Sequence, residues 1–299
     1  MQRKDSMDTF GAVSLIAFSG FLGFNQVVIK VVNEGLQPVF WAGLRSALAV
    51  FCLWGLLRLR GRRIDLRRET APAGVLIGLA FTAEFIFLFL ALDLTSVTRS
   101  SVIFYSMPVW LAIAAHFMLP GQRLTPTKCA GLLVAFAGVG WAIVNRTGPA
   151  GEVSLAGDLC ALAAAISWAA ITLLARGTRL AEVGAETQLF WQVLVSAPLL
   201  LLVAPFFGDF LRDPEPIHWW GLLFQAAIVV SLGFTAWLWL LSIYPPASVA
   251  AFSFLTPIFG VSLGWLLLGE SLGLGLLGAL AMVTLGLILI NRPPRHRAA

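Results

Sequence analysis

Arg45 and Glu84 are charged residues inside otherwise apolar stretches, Gly43-Leu-Arg-Ser-Ala and Thr82-Ala-Glu-Phe-Ile-Phe. A charge at the centre of a membrane helix costs roughly 2.5–3.5 kcal/mol on insertion scales, so such residues pair with something or serve function. Each lies about eight residues from the same-side end of its stretch, and at ~1.5 Å per residue both sit ~12 Å deep, where a salt bridge is geometrically allowed. One reading makes Glu84 a proton site or a site for a substrate amine. The other makes it a structural partner of Arg45 or Lys30. Both readings stay open on the residues alone.

Asn25 and Gln26 place two amides within the first apolar stretch, where they can meet a substrate or bond to a neighbouring helix. The aromatic residues add a second chemistry. Tyr105 and Phe254 each stand three residues before a proline, and Trp168 falls near the position that matches Gly23 and Phe24 in the first half. Phe85, Phe234, Trp237 and Phe252 can add apolar walls to a cavity, although core packing is the default for any one aromatic side chain. His116 has no Cys or carboxylate at ligand spacing, and Cys52, Cys129 and Cys160 lie in apolar segments without metal-type spacing. There is no His-Glu-x-x-His, phosphate loop or facing pair of carboxylates. The chain is therefore expected not to be an enzyme and to need neither metal nor cofactor.

These residues need elements to hold them. The 299-residue chain is 59% hydrophobic and 12% charged, with a mean hydropathy of +0.89. A soluble domain of this size cannot hide so much apolar surface, so the chain reads as an all-α integral membrane protein. Apolar runs of about 20 residues, separated by polar or Pro/Gly breaks, predict ten spans. Their limits are 9–32, 37–57, 71–92, 97–119, 126–145, 154–176, 185–207, 217–241, 247–268 and 273–291, with the Tyr244-Pro-Pro-Ala break the least distinct loop. No signal peptide is expected, because the polar start runs straight into a full-length apolar segment.

With the N-terminus inside, cytoplasmic segments receive Arg3, Lys4, the arginines between 58 and 68, Arg123, Lys128, Arg176, Arg179 and the tail arginines. The opposite face receives Lys30, Arg99, Arg146 and Arg212. The positive-inside rule then puts both termini in the cytoplasm of a multi-pass protein of the cell inner membrane. The same clustering accounts for the pI near 9.6 without nucleic acid. Trp41, Trp219 and Trp220 stand where an interfacial aromatic belt would form.

Pro108 and Pro257 lie 149 positions apart (257 minus 108), close to half the chain. A mid-helix proline donates no N–H and crowds the carbonyl four residues back, here those of Phe104 and Ser253. Other segments repeat as well. Val39-Phe-Trp-Ala-Gly-Leu matches Leu189-Phe-Trp-Gln-Val-Leu, and Leu119-Pro-Gly-Gln-Arg-Leu matches Leu267-Leu-Gly-Glu-Ser-Leu. Gly131 to Asn145 matches Gly278 to Asn291. The expected units are 9–145 and 154–291, each of five spans, and an odd number of spans inverts the second unit relative to the first. The prolines become symmetry mates and hinges beside a central cavity. Arg45 and Glu84 match positions near Val195 and Gly233, so their charge is confined to the first half. Gly131 with Ala135, and Gly275 with Ala279, predict close helix contact, between halves or between protomers.

In this order, Leu22-Gly-Phe-Asn-Gln-Val-Val-Ile-Lys, Gly43-Leu-Arg-Ser-Ala, Ala91-Leu-Asp-Leu-Thr-Ser, the two proline segments and Gly269-Glu-Ser-Leu resemble a known pattern. It is that of the ten-helix drug/metabolite transporter superfamily with two EamA-type domains, and most of all its YddG-type amino acid exporters. The resemblance implies a secondary transporter working by alternating access, lined by the first, third, fourth, sixth, eighth and ninth spans. It also implies that the fifth and tenth spans stabilise the pairing of the repeats. Few basic residues inside spans favour a small zwitterion or hydrophobic metabolite over a phosphorylated sugar. Export of amino acids, aromatic ones included, is the expected function, with proton-coupled efflux of drugs or other metabolites as the alternative. The expected partners are a small-molecule substrate and the lipid bilayer, the expected functional unit a monomer.

Overall fold

In a computed structural model of the chain, the residues described are 7–61, 64–119, 122, 124–145, 153–244 and 252–291. Among them, nine helical segments are long and apolar enough to cross a membrane, and a further apolar helix, Leu255–Leu268, is shorter. The protein is an all-α, multi-pass membrane protein. Spans 1 to 3 are Thr9–Gly35, Pro38–Leu59 and Ala71–Leu94. Spans 5, 6 and 10 are Pro126–Val144, Leu155–Gly177 and Leu274–Asn291. The Pro-Pro-Ala part of the loop after Tyr244 and the predicted start of span 9 lie outside the described residues.

Local chemistry sets the helix starts. Asp8, Gln37, Ser96, Thr125 and Ser154 cap their helices by accepting a backbone N–H from the first turn. Pro38 and Pro126 occupy first-turn positions, where a missing N–H costs nothing.

Span 4 is two helices, Val97–Phe104 and Met107–Met118, joined at Tyr105 and Ser106. Pro108 lies in the first turn of the second helix, so the chain restarts there instead of bending through an unbroken helix. The Ser106 hydroxyl donates to the Ile103 carbonyl at 2.6 Å, which satisfies backbone at the break. Span 9 follows the same plan, with a 3₁₀ turn, Phe252–Phe254, before Leu255–Leu268 and Pro257 in the first turn. Span 7 runs as Ala185–Val203 and ends in a 3₁₀ turn, Ala204–Phe207. Span 8 combines Pro216–Leu223, a ten-residue π-helical stretch, Phe224–Gly233, and Phe234–Ile243.

The main packing pairs cross between the halves. Span 5 lies on span 10, and span 2 on span 7. Span 3 packs on span 6 with its repeat mate, span 1 on span 8; span 1 packs on span 9 with its mate, span 4 on span 6. The contact of spans 5 and 10 depends on absent side chains. A Cβ on Gly131 would come within 2.8 Å of the Gly286 carbonyl oxygen, and Gly275 lies against the Asn145 side chain. The small residues thus join the two halves of one chain. Trp41 departs from the expected belt: it is fully buried, donates its indole N–H to Asn33 at 2.8 Å and lies 4.4 Å from the Phe89 ring. Asn33, one turn from the end of span 1, supplies the partner that a buried indole needs. Trp219 and Trp220 are exposed.

Candidate functional site

A cavity of about 520 Å³ lies between the halves. Spans 1, 3, 4, 6, 8 and 9 contribute to it. So do Arg45 from span 2, Leu189 and Gln192 from span 7, and Asn291 from the end of span 10. Spans 2 and 7 reach it because they pack on one another across the halves, with the Ser196 hydroxyl donating to that of Ser46 at 3.1 Å.

Of the residues singled out in the sequence, Asn25, Gln26, Glu84, Phe85, Tyr105, Trp168, Trp237, Phe252 and Pro108 line this cavity. Phe254 does not. It packs in the cluster formed around spans 5 and 10, one 3₁₀ step beyond Phe252. Pro257 is buried beside the cavity without lining it. Phe234 is on span 8, with a side chain outside those described. Gln192, Phe81, Phe104 and Arg45 are further lining residues. Gln192 had a readable signal, an amide in the apolar run Phe190-Trp-Gln-Val. Phe81 and Phe104 had none, because nothing in an apolar run marks which aromatic faces a void.

The amides divide between helix contacts and the cavity. Gln225, at the start of the π-helical stretch, donates its amide to the Asn25 side-chain oxygen. The Ser101 hydroxyl donates to the Gln26 oxygen at 2.5 Å, while the buried Gln26 amide nitrogen has no partner among the described residues. The π-helical stretch presents Val229, Val230 and Gly233 to the cavity, so a wider helical turn forms part of the wall.

Arg45 and Glu84 are each 5% exposed. Among the described ion pairs none joins them, and Arg45 leaves Nε and Nη1 without a hydrogen-bond partner. The guanidinium lies over the Phe85 ring, 4.1 Å from its centroid. Lys30, the other proposed partner of Glu84, instead donates to the Thr95 carbonyl at 3.0 Å.

The face opposite Thr9 and Asn291 is tied by polar contacts. Arg99 bonds the Asp158 carboxylate through Nε at 3.1 Å and Nη2 at 2.5 Å, and donates to the Ala142 and Asn145 carbonyls. Gly269, at φ +67, turns the chain out of span 9 in the left-handed conformation that glycine adopts without strain. Glu270 then accepts the Val97 and Thr98 N–H groups at 2.6 and 2.8 Å, capping the first helix of span 4 from the other half. Burial pushes this carboxyl above its ordinary value of 4.5, while the two N–H bonds and Lys30 pull it back. Arg212 pairs with Asp93 on the same face. No cavity-lining residue lies beyond Gln26 on span 1 or Leu88 on span 3 towards this face, whereas Leu15, Leu111 and Asn291 carry the lining towards the other.

The fold and site define a membrane transporter built of two related halves around a central cavity. The EamA-like transporter family matches residues 9–144 and 155–292, and the chain belongs to that family. It is 28% identical over 95% of its length to the "Probable amino-acid metabolite efflux pump" of Escherichia coli, covering 94% of that protein. It is 30% identical to the "Aromatic amino acid exporter YddG" of Ancylobacter novellus over 58% of this chain and 61% of that one. A solved crystal structure superposes with a TM-score of 0.66 at 20% identity, covering 94% of this chain and 96% of its own, a likeness of fold.

Proposed function

We infer that the protein is an alternating-access exporter of small metabolites, foremost amino acids and aromatic ones included, in the cell inner membrane, with both termini cytoplasmic. The observation that carries this reading is the cavity between the halves, walled mostly by apolar and aromatic side chains and holding few fixed charges. Such a site suits a small zwitterion with an apolar side chain. The relatives named for amino-acid efflux and aromatic amino acid export support the same substrate class. A cavity lined towards the face of the termini, with polar contacts across the other, fits a state open to the cytoplasm. One chain supplies every wall, so a monomer suffices. Residues 9–145 and 154–291 are the two units that rock against each other, and Pro108 and Pro257 begin the segments that flex.

The test is counterflow in proteoliposomes with a panel of labelled amino acids, with and without a pH gradient. Uptake of at least one aromatic amino acid is expected; no uptake of any amino acid would sink the reading. A second reading, proton-coupled efflux of drugs or other metabolites, draws on Glu84, a buried carboxylate on the cavity wall. It requires Glu84→Gln to abolish gradient-driven transport in a protein that still folds.

A further inference from the structure

The charge pair in the cavity has an unusual arrangement. Arg45 is 5% exposed and lines the cavity, and its Nε and Nη1 meet no acceptor among the described residues. A buried guanidinium without hydrogen bonds is expensive, because low dielectric strengthens every missing interaction. Pairing with Glu84 would relieve it, and the two carry opposite charge on neighbouring spans of one half. Yet Glu84, equally buried on the same cavity wall, is not in ion-pair contact with Arg45. The Phe85 ring lies under the guanidinium at 4.1 Å, with Phe89 farther off at 5.9 Å. Stacking of this kind holds the guanidinium while leaving its in-plane N–H groups free of protein acceptors among the described residues, so that a ligand seated against them replaces packing contacts and breaks no hydrogen bond. Gln26 adds a second donor in the same cavity, a buried amide nitrogen that meets no close acceptor among the described residues and has the Tyr105 hydroxyl as its neighbour.

We propose that Arg45 and Glu84 are the two poles of a zwitterion clamp, with Arg45 taking the substrate's α-carboxylate and Glu84 its α-ammonium. The clamp rests on the amino-acid reading above and names how the substrate's common part is recognised. A guanidinium presents parallel N–H bonds that match a carboxylate. The Gln26 amide completes the carboxylate's partners, and Glu84 accepts the ammonium N–H bonds. An amino acid has its two charges on one carbon, so a single ligand satisfies both buried poles without adding net charge to the membrane interior. An amine lacking the carboxylate leaves Arg45 unpaired, and an acid lacking the ammonium leaves Glu84 unpaired. A buried charge left unpaired is what a polar site rejects most strongly. The aromatic walls, Trp168 and Phe104 among them, then receive the side chain.

The experiment compares inhibition of labelled phenylalanine counterflow by phenylalanine, phenethylamine and 3-phenylpropionate, first in the unaltered protein. Phenylalanine should compete about 10- to 100-fold better than either analogue, the loss expected for one charge-assisted pair. Equal competition by all three, with counterflow present, would overturn the clamp while leaving amino-acid export intact. Absence of counterflow for every amino acid would overturn the function itself, and the clamp with it. The variants assign the poles. Arg45→Gln should lose the preference for phenylalanine over phenethylamine, and Glu84→Gln the preference over 3-phenylpropionate. Arg45→Lys should restore part of the first preference. Variants that transport with both preferences unchanged would reduce the pair to a structural role. Should either variant fail to fold, the analogue comparison in the unaltered protein still decides.

Discussion

Two buried arginines show how a single residue's surroundings decide its meaning. Arg99 is 3% exposed and spends its guanidinium on the Asp158 carboxylate and two carbonyls at the end of span 5. Arg45 is as deeply buried and spends almost none of its own. The first is a fastener; the second rests on the Phe85 ring, with Nε and Nη1 buried and unbonded among the described residues. Arg99→Ala would take the guanidinium from Asp158, which has no exposure at all, and removing one partner of such a buried ion pair costs roughly 3–5 kcal/mol. Thermal unfolding of the detergent-solubilised protein should therefore move down sharply for Arg99→Ala. Removing both charges, in Arg99→Ala with Asp158→Ala, should recover part of the loss because no orphan charge remains. An unaltered transition in Arg99→Ala would show that the pair does not hold spans 4, 5 and 6 together.

At the scale of elements, the prolines prove to be starting points. Pro108 and Pro257 occupy the first turns of Met107–Met118 and Leu255–Leu268, where the missing N–H has no intrahelical partner to lose. The other end of the span 9 helix turns at Gly269 and delivers Glu270 to the start of span 4, so one broken helix seals the other. Because burial raises the Glu270 carboxyl, the seal is favoured by protonation relative to a state in which Glu270 meets water. Its contribution is complete below the ordinary value of 4.5 and is lost as pH rises through the raised value. A cysteine placed at the buried Ser100, with the native cysteines replaced, reports this opening. Its labelling, normalised to an exposed control cysteine, should increase as pH rises above the ordinary carboxyl value, and Glu270→Gln should flatten that dependence. A slope that survives Glu270→Gln would assign the pH response to another group.

Across the whole molecule, the halves are held by close backbone approach as much as by side chains. A Cβ on Gly286 would meet Ala135 Cβ and the Gly131 carbonyl oxygen, both at 2.6 Å, and neither can move without shifting a helix. Gly286→Val should destabilise the protein by about 1–3 kcal/mol, the usual cost of overpacking. Gly140→Val, where nothing lies within 4 Å, is the matched control and should leave the unfolding transition in place. Equal behaviour of the two variants would mean that the contact of spans 5 and 10 is not the one that fastens the repeats.

What the sequence determined by itself was the information carried in short windows. Apolar runs of spanning length, the repeat at 149 positions and the positions of breaks define ten spans in two halves, because hydropathy and turn chemistry are local. The polar cavity residues Asn25, Gln26, Arg45 and Glu84 were legible for the same reason, because amides and charges are rare inside apolar runs, whereas most of the apolar wall carried no mark. Tertiary structure alone decided which polar groups are satisfied. Glu270 meets Val97 from 173 residues away and Arg99 meets Asp158 from 59, and no window contains both partners. Trp41 looked interfacial until Asn33 supplied its hydrogen bond, and Phe254 looked like a cavity wall until the 3₁₀ turn set its direction. Arg45 and Glu84 shared a depth that allowed a salt bridge; only the packed arrangement leaves them unjoined, with Arg45 stacked on Phe85 and the cavity beside them. Depth along a helix is a local quantity, whereas pairing depends on how neighbouring helices turn towards each other in the packed molecule.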